Sequence, residues 1–330
     1  MTESTLSLGY ADFQRIVGHE IGYGRDTSLW SSNQTSEVDD IIQSGVRQFY
    51  FPPPSGDVIS HQWSFLKPST TLTTIVDYNT GTVSSSSTTV TLTGGTWPSW
   101  AATNGTLVVS NTDYTIASRT NDTVIELESA PSSAFSSDSY NLRHNAEYDM
   151  PDSFGSLDGP IYYPSEEWYS PIKKVSYKLI YRYRQVNIDD GIPLYVGIRP
   201  KTTDGSDGQR FVAMFYPRPS EVWNLIYSYV VLMDKLSTGN PYPYGGMVHS
   251  ETILSSILSV VEQRADNTRG VYYDNFQMQL AKSIGFDEAK APDFSGYNHD
   301  TSDSREYNNA YNHYFRNDLV TYDGLNPNDF

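Results

Sequence analysis

The chain has 330 residues, 39 Asp and Glu against only 22 Lys and Arg, and a formal net charge of −17. Basic residues this sparse supply no cluster to hold phosphates, which excludes an ordinary nucleic-acid binder but not a surface past which nucleic acid slides. Cysteine is absent, so disulfides, thiol nucleophiles and thiolate metal sites are excluded together, while 26 Tyr put much of the apolar surface on side chains suited to interfaces as well as cores.

The length fits about two domains. The N-terminal "MTESTLSLGYADF" has no basic region followed by an apolar one, and no apolar run approaches a membrane span, so a soluble chain not exported by a signal peptide is expected. Phe13, Ile16, Val17 and Ile21 recur at helical spacing and predict a first helix from Leu8, with Ser7 as cap and Gly22 and Gly24 as stops. A second helix is predicted from about Ser36 to Tyr50, where Val38, Ile41, Ile42, Val46 and Phe49 share a face and "PPP" at 52–54 ends it. "HQWSFL" at 61–66 alternates and predicts a strand.

From residue 68 to 146 the sequence is dominated by Ser and Thr. Val90 and Leu92, Tyr114 and Ile116, and Ile125 and Leu127 alternate with polar residues between Gly and Asn-Asp turns, which predicts an all-β module of sandwich or barrel type. Beyond it, "PIKKVSYKLIYRYRQ" is ambiguous between strand and helix, whereas "IPLYVGIRP", "RFVAMFYPRP" and "WNLIYSYVVLM" predict strands. Ile253, Leu254, Ile257, Leu258 and Val261 form a helix face from near Ser250, and Tyr273, Phe276, Leu280 and Ile284 continue it after Gly270. Residues 291–330 are acidic, rich in Asn and too poor in aliphatics to fold unaided, yet Tyr307, Tyr311, Tyr314 and Phe315 recur at helical spacing; an arm that orders on a partner is expected.

The expected architecture is therefore α+β. A helical ring-forming domain with a small antiparallel sheet, residues 1–67 and 147–290, is interrupted by the inserted all-β module 68–146 and followed by the extended arm 291–330.

No motif converges on chemistry. "HEIGY" at 19–23 starts like a zinc-protease helix but has Tyr23 where the second His must stand, and the six His, scattered without helical pairing, read as surface or capping residues. Asp149 with Asp152, or Glu166 with Glu167, could serve as a glycosidase pair, but 39 acids make such neighbours commonplace, and Asp149 and Asp152 are expected in turn and cap hydrogen bonds around Pro151. Trp97 and Trp100 in "GGTWPSW" could stack on a sugar or fill the core of the β module. No catalytic residue, metal or cofactor is expected.

The order of elements does resemble a known family. "LWSSNQTSEVDDIIQSGVRQFYFP", "HQWSFLKP", "YDMPDSFGSL", "GIPLYVGIRP", "FVAMFYPRPSEVWNLIYSYVVLM" and "HSETILSSILSVVEQ" together look like the head-to-tail adaptor, or connector, proteins of tailed bacteriophages. The family's Tyr-x-Leu-Pro-x-x-Phe segment reads here as Tyr148 to Phe154 with Met150 for Leu, its Gly-x-Pro-x-Tyr strand as Gly191 to Tyr195, and its Pro-x-Pro as Pro217 to Pro219. The likeness covers about residues 5–67 and 147–290, and the β module departs from it.

The resemblance implies a structural virion protein, not an enzyme. It would form a ring of twelve copies at the neck, joining the portal to a tail or nozzle protein and lining the channel through which genomic DNA leaves without specific binding, after assembly in the host cytoplasm and with no membrane partner. Tyr297, Tyr307, Tyr311, Tyr314 and Phe315 would dock the arm on the portal, and Tyr148, Pro151 and Phe154 would mark the module junction. Twelve copies would carry about 200 negative charges, which suits a channel that repels DNA. The alternatives are a tail-associated adhesin binding glycan through Trp97 and Trp100, and a carbohydrate-active enzyme.

Overall fold

The computed structural model describes residues 3–52, 60–164, 169–186, 190–201 and 208–290. They hold helices α1 (Tyr10–Glu20), α2 (Ser32–Tyr50), α3 (Ala101–Asn104), α4 (Tyr177–Val186), α5 (Met247–Asp266) and α6 (Val271–Lys290). The strands are β1 (Ser69–Thr73), β2 (Thr82–Ser86), β3 (Thr89–Thr93), β4 (Gly105–Val109), β5 (Thr112–Arg119), β6 (Val124–Leu127), β7 (Tyr140–His144), β8 (Glu147–Asp149) and β9 (Phe154–Leu157). After them come β10 (Lys173–Val175), β11 (Asp190–Gly191), β12 (Tyr195–Pro200), β13 (Phe211–Tyr216), β14 (Arg218–Pro219) and β15 (Asn224–Val231).

The chain divides into two compact units, one made of residues up to Phe65 together with those from Lys235 onward, the other Leu66–Asp234. The first is helical. α2 opens on a reciprocal cap in which Ser31 Oγ accepts the Gln34 N–H and Gln34 Oε1 accepts the Ser31 N–H at 2.8 Å. The helix therefore starts four residues before the expected Ser36, and α1 is capped by Gly9 rather than Ser7, with Gly9 N–H donating to Asp12 at 3.0 Å. The apolar face predicted for α2 is buried as spaced. Gly45 lets α5 approach closely: a Cβ there would lie 2.5 Å from Ile257 Cα, and Ser256 Oγ donates to the Gly45 carbonyl at 2.7 Å.

"HQWSFL" is not a strand but ends in a 3-10 turn at Ser64–Leu66. The buried pair Trp63 and Leu66 is spaced for a turn, and Trp63 stacks on Phe49 with centroids 4.5 Å apart. Asp287 of α6 holds this segment, accepting from Ser64 Oγ at 2.5 Å, Ser64 N–H at 2.9 Å and His61 Nε2 at 3.0 Å. Burial pushes the Asp287 carboxyl up, but these donors outweigh it and hold its pKa below the usual carboxylate range.

The second unit is β-rich. β2, β3, β6, β5, β4 and β7 form, in that order, a six-stranded antiparallel sheet. It curls until its two ends meet at the bridges Tyr78↔Leu142 and Val83↔Asp138, around a core that includes Val83, Val90, Leu107, Ile125 and Leu142. β1, β15 and β9 form a three-stranded antiparallel sheet, and β10, β12, β13 and β8 a mixed four-stranded one. These two share a core built on Leu72, Tyr148, Phe154, Val196, Phe215 and Leu225. A two-stranded pair, β11 with β14, completes the set. The ambiguous "PIKKVSYKLIYRYRQ" is both things at once, β10 and then α4, whose Ile180 is buried.

The expected fold class is overturned. The described residues carry fifteen strands in four sheets beside six helices, a β-rich fold rather than a helical ring domain with one small sheet. The physical reason lies between 147 and 234, where β8, β10, β11 and β14 have only two or three residues each and leave no periodic trace, yet assemble through β12, β13 and β15 into sheets with a common core.

Candidate functional site

The arm residues Tyr297, Tyr307, Tyr311, Tyr314 and Phe315 lie outside the described residues, as do Glu166 and Glu167. Trp97 and Trp100 stand just before α3. Trp97 is 1 % exposed in the core of the curled sheet, its Nε1–H donating to the Thr123 carbonyl at 3.1 Å, so its ring has no face open to a sugar. Trp100 is half-buried and meets His144 edge-on at 4.9 Å.

The junction residues share one stretch of chain but differ in surroundings. Tyr148, in β8, is buried, accepts the Ile75 N–H at 3.0 Å, and has its phenol pushed up to about 12 by burial. Phe154 is fully buried and stacks on Tyr229 at 5.6 Å. Pro151 is exposed in the turn between β8 and β9, its carbonyl accepting the Phe154 N–H at 2.9 Å. Asp149 and Asp152 form ion pairs instead of the expected caps, with Lys201 at 2.8 Å and Arg210 at 3.1 Å, beyond the end of β12 and before the start of β13.

Beside them lies a buried polar cluster that sequence reasoning missed. Arg218 donates to the His144 carbonyl at 3.1 Å and pairs with Asp190 and, at 3.7 Å, with Asp77, which also accepts the His144 N–H at 2.9 Å. Arg184 of α4 donates to the Phe215 carbonyl at 2.9 Å and the Ala146 carbonyl at 3.3 Å, and shares Glu147 with Arg199. Burial pushes the Arg184 and Arg218 guanidinium pKa values down. Three guanidiniums thus face three carboxylates, a balance that suits a structural network.

His144, expected at the surface or as a cap, is 3 % exposed. Ala146 N–H donates to its Nδ1 at 3.1 Å, which places the ring proton on Nε2, and Nε2 has no partner among the described residues. Burial, with Arg218 and Arg184 nearby and Asp77 opposing them, lowers its pKa to about 4, so the imidazole is neutral at ordinary pH. The only hint in the sequence was the density of Arg in "YRYRQ" and "PRP"; their partners are remote in the chain.

The cluster borders a groove of about 450 Å³, lined from one side by Thr71 and Thr73 of β1 and from the other by Glu147, Tyr148 and Asp149 of β8, with Trp100 and His144 also in its wall. No group of three or more His, Asp or Glu among the described residues is placed to hold a metal, and no described helix is long and apolar enough to cross a membrane. No protein-family model matches the chain, and no curated protein matches it.

Proposed function

We propose that this chain is a structural protein of the virion neck, a subunit of a ring that joins the portal to the tail and lines the genome exit channel. The outer face of α6 carries this reading. Phe276, Leu280 and Asp287 form its buried side, whereas Val271 and Met278, one heptad apart on the opposite side, are 80 % and 69 % exposed. Two large apolar side chains left in water on the side away from the core are suited to a subunit that is covered there on assembly.

Leu29 and Phe51, 80 % and 63 % exposed in the same unit, add to the apolar surface that an isolated chain leaves in water. The charge of −17 suits a channel that lets DNA pass, because like charge repels the phosphates rather than gripping them. The resemblance of the sequence segments to adaptor proteins supports the portal and a tail protein as the partners on either side.

Native mass spectrometry of the full-length chain, alone and mixed with the portal of the same phage, tests the proposal. A discrete ring-sized assembly, or a stoichiometric complex with the portal, is expected. A chain that stays monomeric with portal present, and that is missing from purified particles, would remove the reading.

A further inference from the structure

The outer side of α6 carries a pattern that is complementary to itself. On a helix of 3.6 residues per turn, Val271, Asp274, Lys282 and Gly285 all lie within about 40° of Met278, and all five residues are exposed. Phe276, Leu280, Ser283 and Asp287 occupy the opposite side and are buried. Asp274 and Lys282 stand symmetrically before and after Met278, and so do Val271 and Gly285.

Asp274 and Lys282 are about 12 Å apart along the helix axis, too far to pair with each other. Neither forms an ion pair among the described residues. Opposite charges set symmetrically about a centre, and left without partners, match a second copy of the same helix running the other way. In that arrangement Met278 meets Met278 of the second copy, and each Asp274 lies level with the other copy's Lys282. Each Val271 lies level with the other copy's Gly285, where a Cβ would meet nothing within 4 Å among the described residues, so an apolar knob faces a residue with no side chain. A parallel pair would instead set Asp274 against Asp274 and Lys282 against Lys282.

We propose that two copies of the free chain associate through this face, with their α6 helices antiparallel about a two-fold axis at Met278. The contact uses the same patch on both copies and therefore closes at two. It takes Val271 and Met278 of each copy out of water and places two opposite-charge contacts across the axis. The inference stands on α6 alone and goes beyond the neck reading. Where that reading has the face covered by assembly into a ring, the dimer is the form of the chain before assembly.

The test is the mass of the full-length chain in solution without portal, by analytical ultracentrifugation, followed by charge exchange and cross-linking. A species of twice 37.1 kDa is expected. Asp274→Lys or Lys282→Asp replaces two attractions by two repulsions and should weaken the dimer about tenfold, whereas the two substitutions combined in one chain should restore it. Because the chain has no cysteine, Met278→Cys should cross-link to itself on mild oxidation, while Val271→Cys should cross-link only when mixed with Gly285→Cys. The cross-linking arm decides should a charge variant fail to fold. A wild-type monomer overturns the proposal, as does a folded combined variant that stays weak, or a Val271→Cys chain that cross-links by itself, which is the mark of a parallel pair. Ring-sized assemblies with no dimer would overturn it while leaving the neck reading in place. A dimer whose chain is missing from purified particles would support it and count against the neck reading.

Discussion

Acidification should weaken the second unit through His144. In the folded chain its pKa is lowered from 6.5 to about 4, because a 97 % buried imidazole beside Arg184 and Arg218 resists a further positive charge that Asp77 only partly offsets. Between these values the unfolded chain takes up a proton that the folded chain refuses, so stability is full above about pH 6.5 and falls as pH drops toward about 4. The difference of roughly 2.5 pKa units corresponds to about 3 kcal/mol in all, of which about 2.5 kcal/mol is lost by about pH 4.5. Urea unfolding of the wild type and of His144→Gln, each at about pH 7 and about pH 4.5, isolates this contribution, since the ion pairs titrate alike in both proteins. The variant starts less stable but should lose about 2.5 kcal/mol less on acidification. Equal losses in the two proteins would refute the buried neutral histidine.

Three other substitutions probe the packing. Gly45→Ala puts a methyl group 2.5 Å from Ile257 Cα and should destabilise the helical unit by about 1–3 kcal/mol, seen as a lower midpoint in thermal circular dichroism; an unchanged midpoint would mean that α2 and α5 are not closely apposed. Asp287→Ala strands the Ser64 N–H and hydroxyl and the His61 ring, and a loss of about 1–3 kcal/mol in chemical denaturation is expected, with faster amide exchange at Ser64. Trp97→Ala empties a fully enclosed site and should cost about 3–5 kcal/mol, whereas a glycan contact at the surface would leave the melting curve nearly unchanged.

Long amphipathic elements were legible. The α2 face from Val38 to Phe49 needs only a period of 3.6 sustained over three turns, and the curled sheet shows its alternation at Val90, Leu92, Ile125 and Leu127, all buried as spaced. "HQWSFL" misleads because six residues fit two periods, and the contacts of Trp63 with Phe49 and of Ser64 with Asp287 decide between them. The His144 cluster was hidden for a different reason: Asp77, His144, Arg184 and Arg218 are collected from across the second unit, and no local pattern marks residues whose partners are so remote.

Edge status is the clearest case of information held by topology rather than by local composition. "STTLT" sits in a Ser- and Thr-rich stretch and looks no different from "TVTLT", which is β3. Yet β3 lies between β2 and β6 with both sides paired, while β1 reaches past the curled sheet to pair with β15 and is left outermost. The same hydroxyl-rich, uncharged composition is inert in the interior of a sheet and an invitation at its rim. "EYD" at 147–149 is placed by the same route: pairing with β13 takes up the backbone groups of Tyr148 and leaves those of Glu147 and Asp149 directed away from β13. What those acids can contribute is therefore decided less by their charge than by which of their neighbours' backbone groups already have partners.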